Sequence, residues 1–189
     1  MPQSTTGCHR PKPIERRIQC AAIERLLTET AAKIHDSELQ TLWLNCFPNT
    51  LDTSANILRC AEHSDAFIIT GDIEAMWLRD APAQIHPYLP CLQNSETIQQ
   101  LFIGTLNRIM SSIELDPYAN AFYSTPEAVG EWASDLTDMK PGVHERKWEL
   151  DSLAYFLRLS SDIYESLGGH DCFNRHWLKT VERILEIFR

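Results

Sequence analysis

The sequence predicts an all-α fold of the α/α-barrel kind, and three observations lead there. Apolar residues recur at helical spacing in several separate stretches. Between these stretches lie long polar loops rich in aromatic and acidic residues, at 67–80, 115–127 and 130–148. No internal repeat of fixed period is present, which counts against stacked helical repeats. Helices alternating with such loops suit a barrel whose loops gather at one end to form a site.

Residues 1–13 read as a flexible N-terminus, and 14–189 as one domain. Over 14–34, Ile14, Ile18, Ala22, Leu26 and Ala31 fall near helical spacing with charges between them. In "SELQTLWLNCF", Ser37 and Gln40 fit a capping box. Asp80 is placed to cap "APAQIHPYL", with Pro82 tolerated in the first turn. "NSETIQQLFIGTLNRIMSSIE" carries a long apolar stripe capped by Asn94 or Ser95, and Gly104 within it predicts close packing against a neighbour. "ELDSLAYFLRLSSDIYESLGG" repeats the pattern through Leu150, Leu153, Leu157 and Tyr164, with Gly168 as its stop. Asp171 is a candidate cap for the last helix, striped by Trp177, Val181, Ile184, Leu185 and Phe188. That stripe runs to Arg189 without a stop signal, so the chain reads as truncated.

At 189 residues, 43% apolar and 23% charged, the chain is globular in composition and long enough to bury a core. Its net charge of −9 argues against nucleic acid, which demands clustered cations. No apolar run approaches the roughly 18 residues of a membrane span. The six cysteines form no C-x-x-C pair. An even count is compatible with disulfides, but the N-terminus has no apolar signal-peptide core, so reduced, mostly buried thiols in a cytoplasmic setting are expected.

Candidate functional residues concentrate in three stretches. "FIITGDIEAMWLRDAPAQIHPYLP" places Asp72, Glu74, Trp77, Arg79 and Asp80 within nine positions. A guanidinium fork beside an indole face is what hydroxyl groups and the C–H face of a sugar ring require. Asp80 reads more readily as a cap than as a ligand, and Asp72 and Glu74 serve equally as solvated carboxylates. "ELDPYANAFYSTPEAVGEW" sets Asn120 among Tyr118, Phe122 and Tyr123, with Asn120 the expected ligand contact. "KPGVHERKWELDSLAY" packs Glu145, Arg146, Lys147, Glu149 and Asp151 into seven positions. Glu149 suits a solvated helix start. Asp151 is a candidate general acid only if neighbouring carboxylates or apolar cover, such as Trp148, offset the helix dipole. The scattered histidines, of which His35 and His176 read as surface and His86 as structural, offer no metal-ligand spacing, and no G-x-S-x-G elbow or P-loop occurs. Carboxylate chemistry remains.

"CFPNTLDT", "FIITGDIEAMWLRDAPAQIHPYL", "DPYANAFY" and "ERKWELDSLAYFLRL" resemble, in this order, the motifs of glycoside hydrolase family 125, the exo-α-1,6-mannosidases or meiotically up-regulated gene 157-like proteins. The resemblance runs from about Leu42 to the last residue. It implies the first part of an (α/α)6 barrel that removes terminal α-1,6-linked mannose with inversion, without metal or organic cofactor. By position, Asp151 matches the general acid, while Trp77, Arg79, Asp80, Asn120, Glu145 and Arg146 fall in motifs lining the mannose pocket. Two departures stand out: Ala81–Tyr88 differ from the usual small residues followed by Gln-Val-Trp-Pro-Tyr, and His144 replaces an aromatic residue.

Inversion also requires a second carboxylate as base, roughly 6.5–9.5 Å from the acid. In the family this glutamate lies far toward the C-terminus. Twelve helices at about 25–35 residues per helix and loop exceed this length. The expected partners are therefore an α-mannoside oligosaccharide and a complementary C-terminal half. The alternative is a non-catalytic helical carbohydrate-binding or interaction module.

Overall fold

The computed structural model describes residues 7–59 and 63–189. Helices dominate: α1 (Ala21–Ala31), α2 (Ser37–Cys46), α3 (Asp80–Ile85), α4 (Glu96–Leu115), α5 (Leu150–Leu167) and α6 (Arg175–Ile187). The all-α expectation needs one correction, because five short strands are present, three of them within the segments read as loops. β1 (Ala55–Arg59) and β2 (Ser64–Ile68) form an antiparallel hairpin, and β3 (Met76–Trp77), β4 (Ala121–Phe122) and β5 (Val143–Glu145) form a second small antiparallel sheet. The hairpin escapes a period-2 reading because Ala66, Phe67 and Ile68 are all buried, leaving no polar alternation.

α4 is the centre of the core and packs along β2, α5 and α6. Ser95 caps it, accepting from Ile98 N, as its sequence indicated. Gly104 meets β2 there: a Cβ would lie 2.7 Å from both Ala66 N and Asp65 C. These are backbone atoms and move only with the strand. Gly104→Ala therefore lowers stability by about 1–3 kcal/mol through overpacking, exceeding the roughly 1 kcal/mol that alanine adds to helix propensity. Thermal unfolding of the two proteins checks this, and an unchanged or raised midpoint contradicts it.

Several expected helix boundaries shift for identifiable reasons. The helix expected over 14–34 begins only at Ala21, because Arg17 N and Ile18 N donate to Asp52 O and Leu51 O instead of continuing a helix. Of the N-terminus expected to be flexible, residues 1–6 lie outside the described residues, while Arg10 is buried between Asp52 and Glu24. Asp36, not Ser37, caps α2, accepting from Leu39 N, and the Gln40 side chain donates to Ala31 O. Asp80 is the first residue of α3 and makes no side-chain cap. Asn174 caps α6 through His176 N and Trp177 N, in place of Asp171.

On α5 the buried stripe is Leu153, Phe156, Leu159 and Ile163, with Leu150 and Tyr164 exposed. Two serines rotate it: Ser152 and Ser160 occupy the core face because their hydroxyls are satisfied, Ser152 by Glu149 and Ser160 by Phe156 O and the Trp177 indole. Gly168 ends α5 at φ 70°, as read from the sequence. His35 is exposed, His176 is half-buried beside Glu114, and His86 bonds Asp162 through Nδ1. Cys8, Cys20, Cys46, Cys91 and Cys172 are free; Cys60 lies outside the described residues. Among the described residues no helix is long and apolar enough to cross a membrane.

Candidate active site

The loop between β2 and β3 is drawn tight by Thr70. Its backbone N and its hydroxyl both donate to Ala75 O, and the hydroxyl oxygen accepts from Trp77 N. Gly71, at φ 73°, takes the left-handed conformation this turn needs. The result fixes Trp77 on β3, opposite Ala121 of β4, which in turn pairs with Glu145 of β5. Leu78 N donates to Asn120 O, so the three sequence stretches meet side by side.

Two polar centres result. In the first, Arg79 faces three carboxylates: Nη1 lies 3.2 Å from Asp151 Oδ2 and 3.5 Å from Glu149 Oε2, and Nη2 lies 3.5 Å from Asp80 Oδ2. The hydrogen bond to Asp151, with the charges of Asp80 and Glu149, raises the Arg79 pKa against the effect of burial. Asp151 stands in the first turn of α5, half exposed. Beside this centre a cavity of about 420 Å³ is lined by Thr70, Gly71, Ile73, Trp77, Arg79, Asp80 and Gln84.

The second centre is built on Glu145. Burial pushes its carboxyl up, but hydrogen bonds from Lys147 and Asn120, the Lys147 charge and a bond from the Trp77 side chain together hold it below the usual range. Lys147 Nζ is 2.6 Å from Oε1, and Asn120 Nδ2 is 2.7 Å from Oε2. Asn120 is buried, and its amide oxygen accepts from Lys147 N. It presents Glu145 rather than itself.

The remaining candidates lie apart. Arg146 is turned toward buried Asp116, 2.6 Å from Oδ2, and stacks over Tyr118, where it pins the turn after α4. Trp148 packs against the Tyr118 ring at 5.6 Å. Asp72 and Glu74 are exposed on the outside of the 71–75 turn and do not line the cavity.

Glu149, read from sequence as a solvated helix start, is instead part of the Arg79 centre. Its signal was present in its spacing, two positions from Asp151. Thr70 and Gln84, whose Oε1 is buried without a partner among the described residues, carry no sequence signal of a site. Among the described residues, no three His, Cys, Asp or Glu side chains are arranged to hold a metal ion.

A family described as metal-independent alpha-mannosidase (GH125) matches residues 36–189. The chain is 32% identical over 186 residues to the meiotically up-regulated gene 157 protein of Schizosaccharomyces pombe, covering 94% of this chain and 36% of that protein. Its fold is similar to a metal-independent α-mannosidase of Streptococcus pneumoniae, solved as a non-productive complex with α-1,6-mannobiose, at TM-score 0.79 and 34% identity. That match covers 88% of this chain and 39% of the pneumococcal chain. The chain therefore spans well under half the length of both.

Proposed function

The chain belongs to glycoside hydrolase family 125, the metal-independent α-mannosidases, and from this we propose that it supplies the general acid and one wall of the mannose pocket of an inverting exo-α-1,6-mannosidase. The observation that carries the reading is the Arg79 centre, with Asp80, Glu149 and Asp151 around one guanidinium beside the Trp77 cavity. Asp151 protonates the departing glycosidic oxygen. Arg79 and Asp80 bind sugar hydroxyls, since a planar fork and a carboxylate offer donors and acceptors at fixed angles. The indole of Trp77 covers the C–H face of the ring, and Glu145, held by Asn120 and Lys147, fixes that indole. Arg146 supports the wall through Asp116 and Tyr118.

The base that activates water belongs, in this proposal, to the part of the relatives that this chain does not match. The matched portion is the first part of an (α/α)6 barrel, and the remainder is a complementary C-terminal half. Exposed apolar side chains fit that arrangement. Leu39 and Leu42 of α2 border a groove of about 570 Å³ with Trp43, Phe47 and Tyr88, while Leu178, Leu185 and Phe188 face outward from the α6 end. The isolated 189-residue chain is therefore expected to bind a hydrophobic dye more strongly than a closed globule does. A sharp cooperative melt without dye binding contradicts the open-barrel arrangement.

The decisive experiment is a chimera in which residues 36–189 replace the matched segment of the pneumococcal enzyme. Proton NMR of the anomeric signals should show β-mannose released from α-1,6-mannobiose. A chimera folded by circular dichroism that releases no mannose, or releases the α anomer, overturns the assignment.

A further inference from the structure

The second centre contains a side chain that the proposed reaction does not use. His144 lies on β5 immediately before Glu145 and is 3% exposed. Its ring sits between two others: Trp77 at 5.1 Å and 58°, and Tyr123 at 5.0 Å and 68°. Its Nδ1 is buried with no hydrogen-bond partner among the described residues. On the far side Tyr123 lies against Gly130, so closely that no methyl group fits there. On the near side the Trp77 side chain lies close enough to Glu145 to help lower its pKa. Gly130, Tyr123, His144, Trp77 and Glu145 thus form one continuous row of neighbours.

We propose that His144 is a positioning residue that makes the Trp77 indole pH-sensitive: the neutral imidazole wedges the indole against Glu145, and protonation of the ring loosens it. Protonation of this ring takes a cation out of water and leaves an Nδ1–H with no acceptor among the described residues, and both are costly in a buried site. Burial accordingly pulls the His144 pKa below its ordinary 6.5, against the opposing charges of Glu145 and Glu131. The groups facing the ring are Trp77 from β3, Tyr123 from the segment after β4, Glu131 from the 131–134 turn and Glu145 from its own strand. Tyr123 stays neutral, its pKa raised by burial, and Glu145 stays ionised, its pKa held below 4.5. Of these groups His144 is therefore the one whose charge changes as pH falls below its ordinary 6.5. Phenylalanine has a similar shape and cannot change charge.

The coupling stands whether or not the cavity takes mannose; only its consequence for sugar affinity rests on the reading above. The test is an NMR titration of the 189-residue chain from pH 8 to 5. It follows the Trp77 indole N–H, assigned with Trp77→Phe, and the His144 ring protons. In the wild type the two signals should move together, with a midpoint below 6.5. In His144→Phe the Trp77 signal should stay constant over the same range. The wild-type covariance stands alone if the variant fails to fold. A Trp77 signal that stays fixed down to pH 5, moves with a midpoint different from that of His144, or titrates unchanged in His144→Phe overturns the proposal.

Discussion

Asp151→Asn removes on the order of 10²–10⁴ of the kcat/KM for α-1,6-mannobiose in the chimera, the range spanned by general acid assistance. Asparagine keeps the shape of the side chain, and its amide oxygen still accepts from Arg79, 3.2 Å away in the parent. Both members of that pair are substantially exposed, so its contribution to folding is at most about 1 kcal/mol. The variant should therefore melt near the parent. The leaving group separates chemistry from damage. An aryl mannoside with a strongly acidic phenol departs without a proton, so the variant should hydrolyse it far better, relative to the parent, than it hydrolyses mannobiose. Glu149→Gln, which removes a charge beside Arg79 but not the acid, should be milder than Asp151→Asn on mannobiose. Equal losses on both substrates for Asp151→Asn would assign the residue to binding or structure and remove it from the role of acid.

The contact between Arg79 and Asp151 spans 72 positions and illustrates which features the sequence carries. α4 was legible because its signals are local: a long apolar period, Ser95 at its start, and a glycine whose only packing rationale is a close neighbour. The 76–77, 121–122 and 143–145 strands were not legible, because two or three residues carry no period and their pairing partners lie far along the chain. Caps were half legible. Asp171 and Asn174 are both good acceptors, and the choice depends on where the chain turns after α5. Among the candidates, the sequence marked Arg79 and Asp151 as rich in chemistry, but their contact with each other, and with Glu149, depends on α5 meeting α3. Asn120 is similar: its residue type suggested ligand contact, while its burial turns its amide toward Glu145 and Lys147.

The strongest stability effect is expected where the sequence suggested no structure at all. Arg10 lies in "CHRPKPIERR", a stretch with two prolines and no apolar period. Its side chain is only 7% exposed, and that decides the magnitude. The guanidinium is bidentate twice: to Asp52 at 2.7 and 3.0 Å, and to Glu24 at 2.6 and 3.0 Å. Asp52 is itself 2% exposed, and Arg16, its other cation, is 3.7 Å away.

Deleting one partner of a buried ion pair leaves the other charged and desolvated, at about 3–5 kcal/mol. Arg10→Ala should cost that much in denaturant unfolding at neutral pH. Arg183→Ala, which breaks an exposed pair with Glu186, should cost no more than about 1 kcal/mol. Arg10→Lys should fall between, because one ammonium cannot serve two carboxylates in fork geometry. The pH dependence has a definite sign. The hydrogen bond from Arg10 lowers the Glu24 pKa below 4.5, with burial opposing it and the charges of Arg10 and Arg16 adding to it. The Glu24 contribution is therefore complete above the unfolded value and is lost as pH falls through the folded one. The gap between parent and Arg10→Ala should narrow on acidification below about pH 4.5. A loss below about 1 kcal/mol at pH 7, or a gap that widens in acid, would mean that Arg10 does not anchor the N-terminal arm to Asp52 and Glu24.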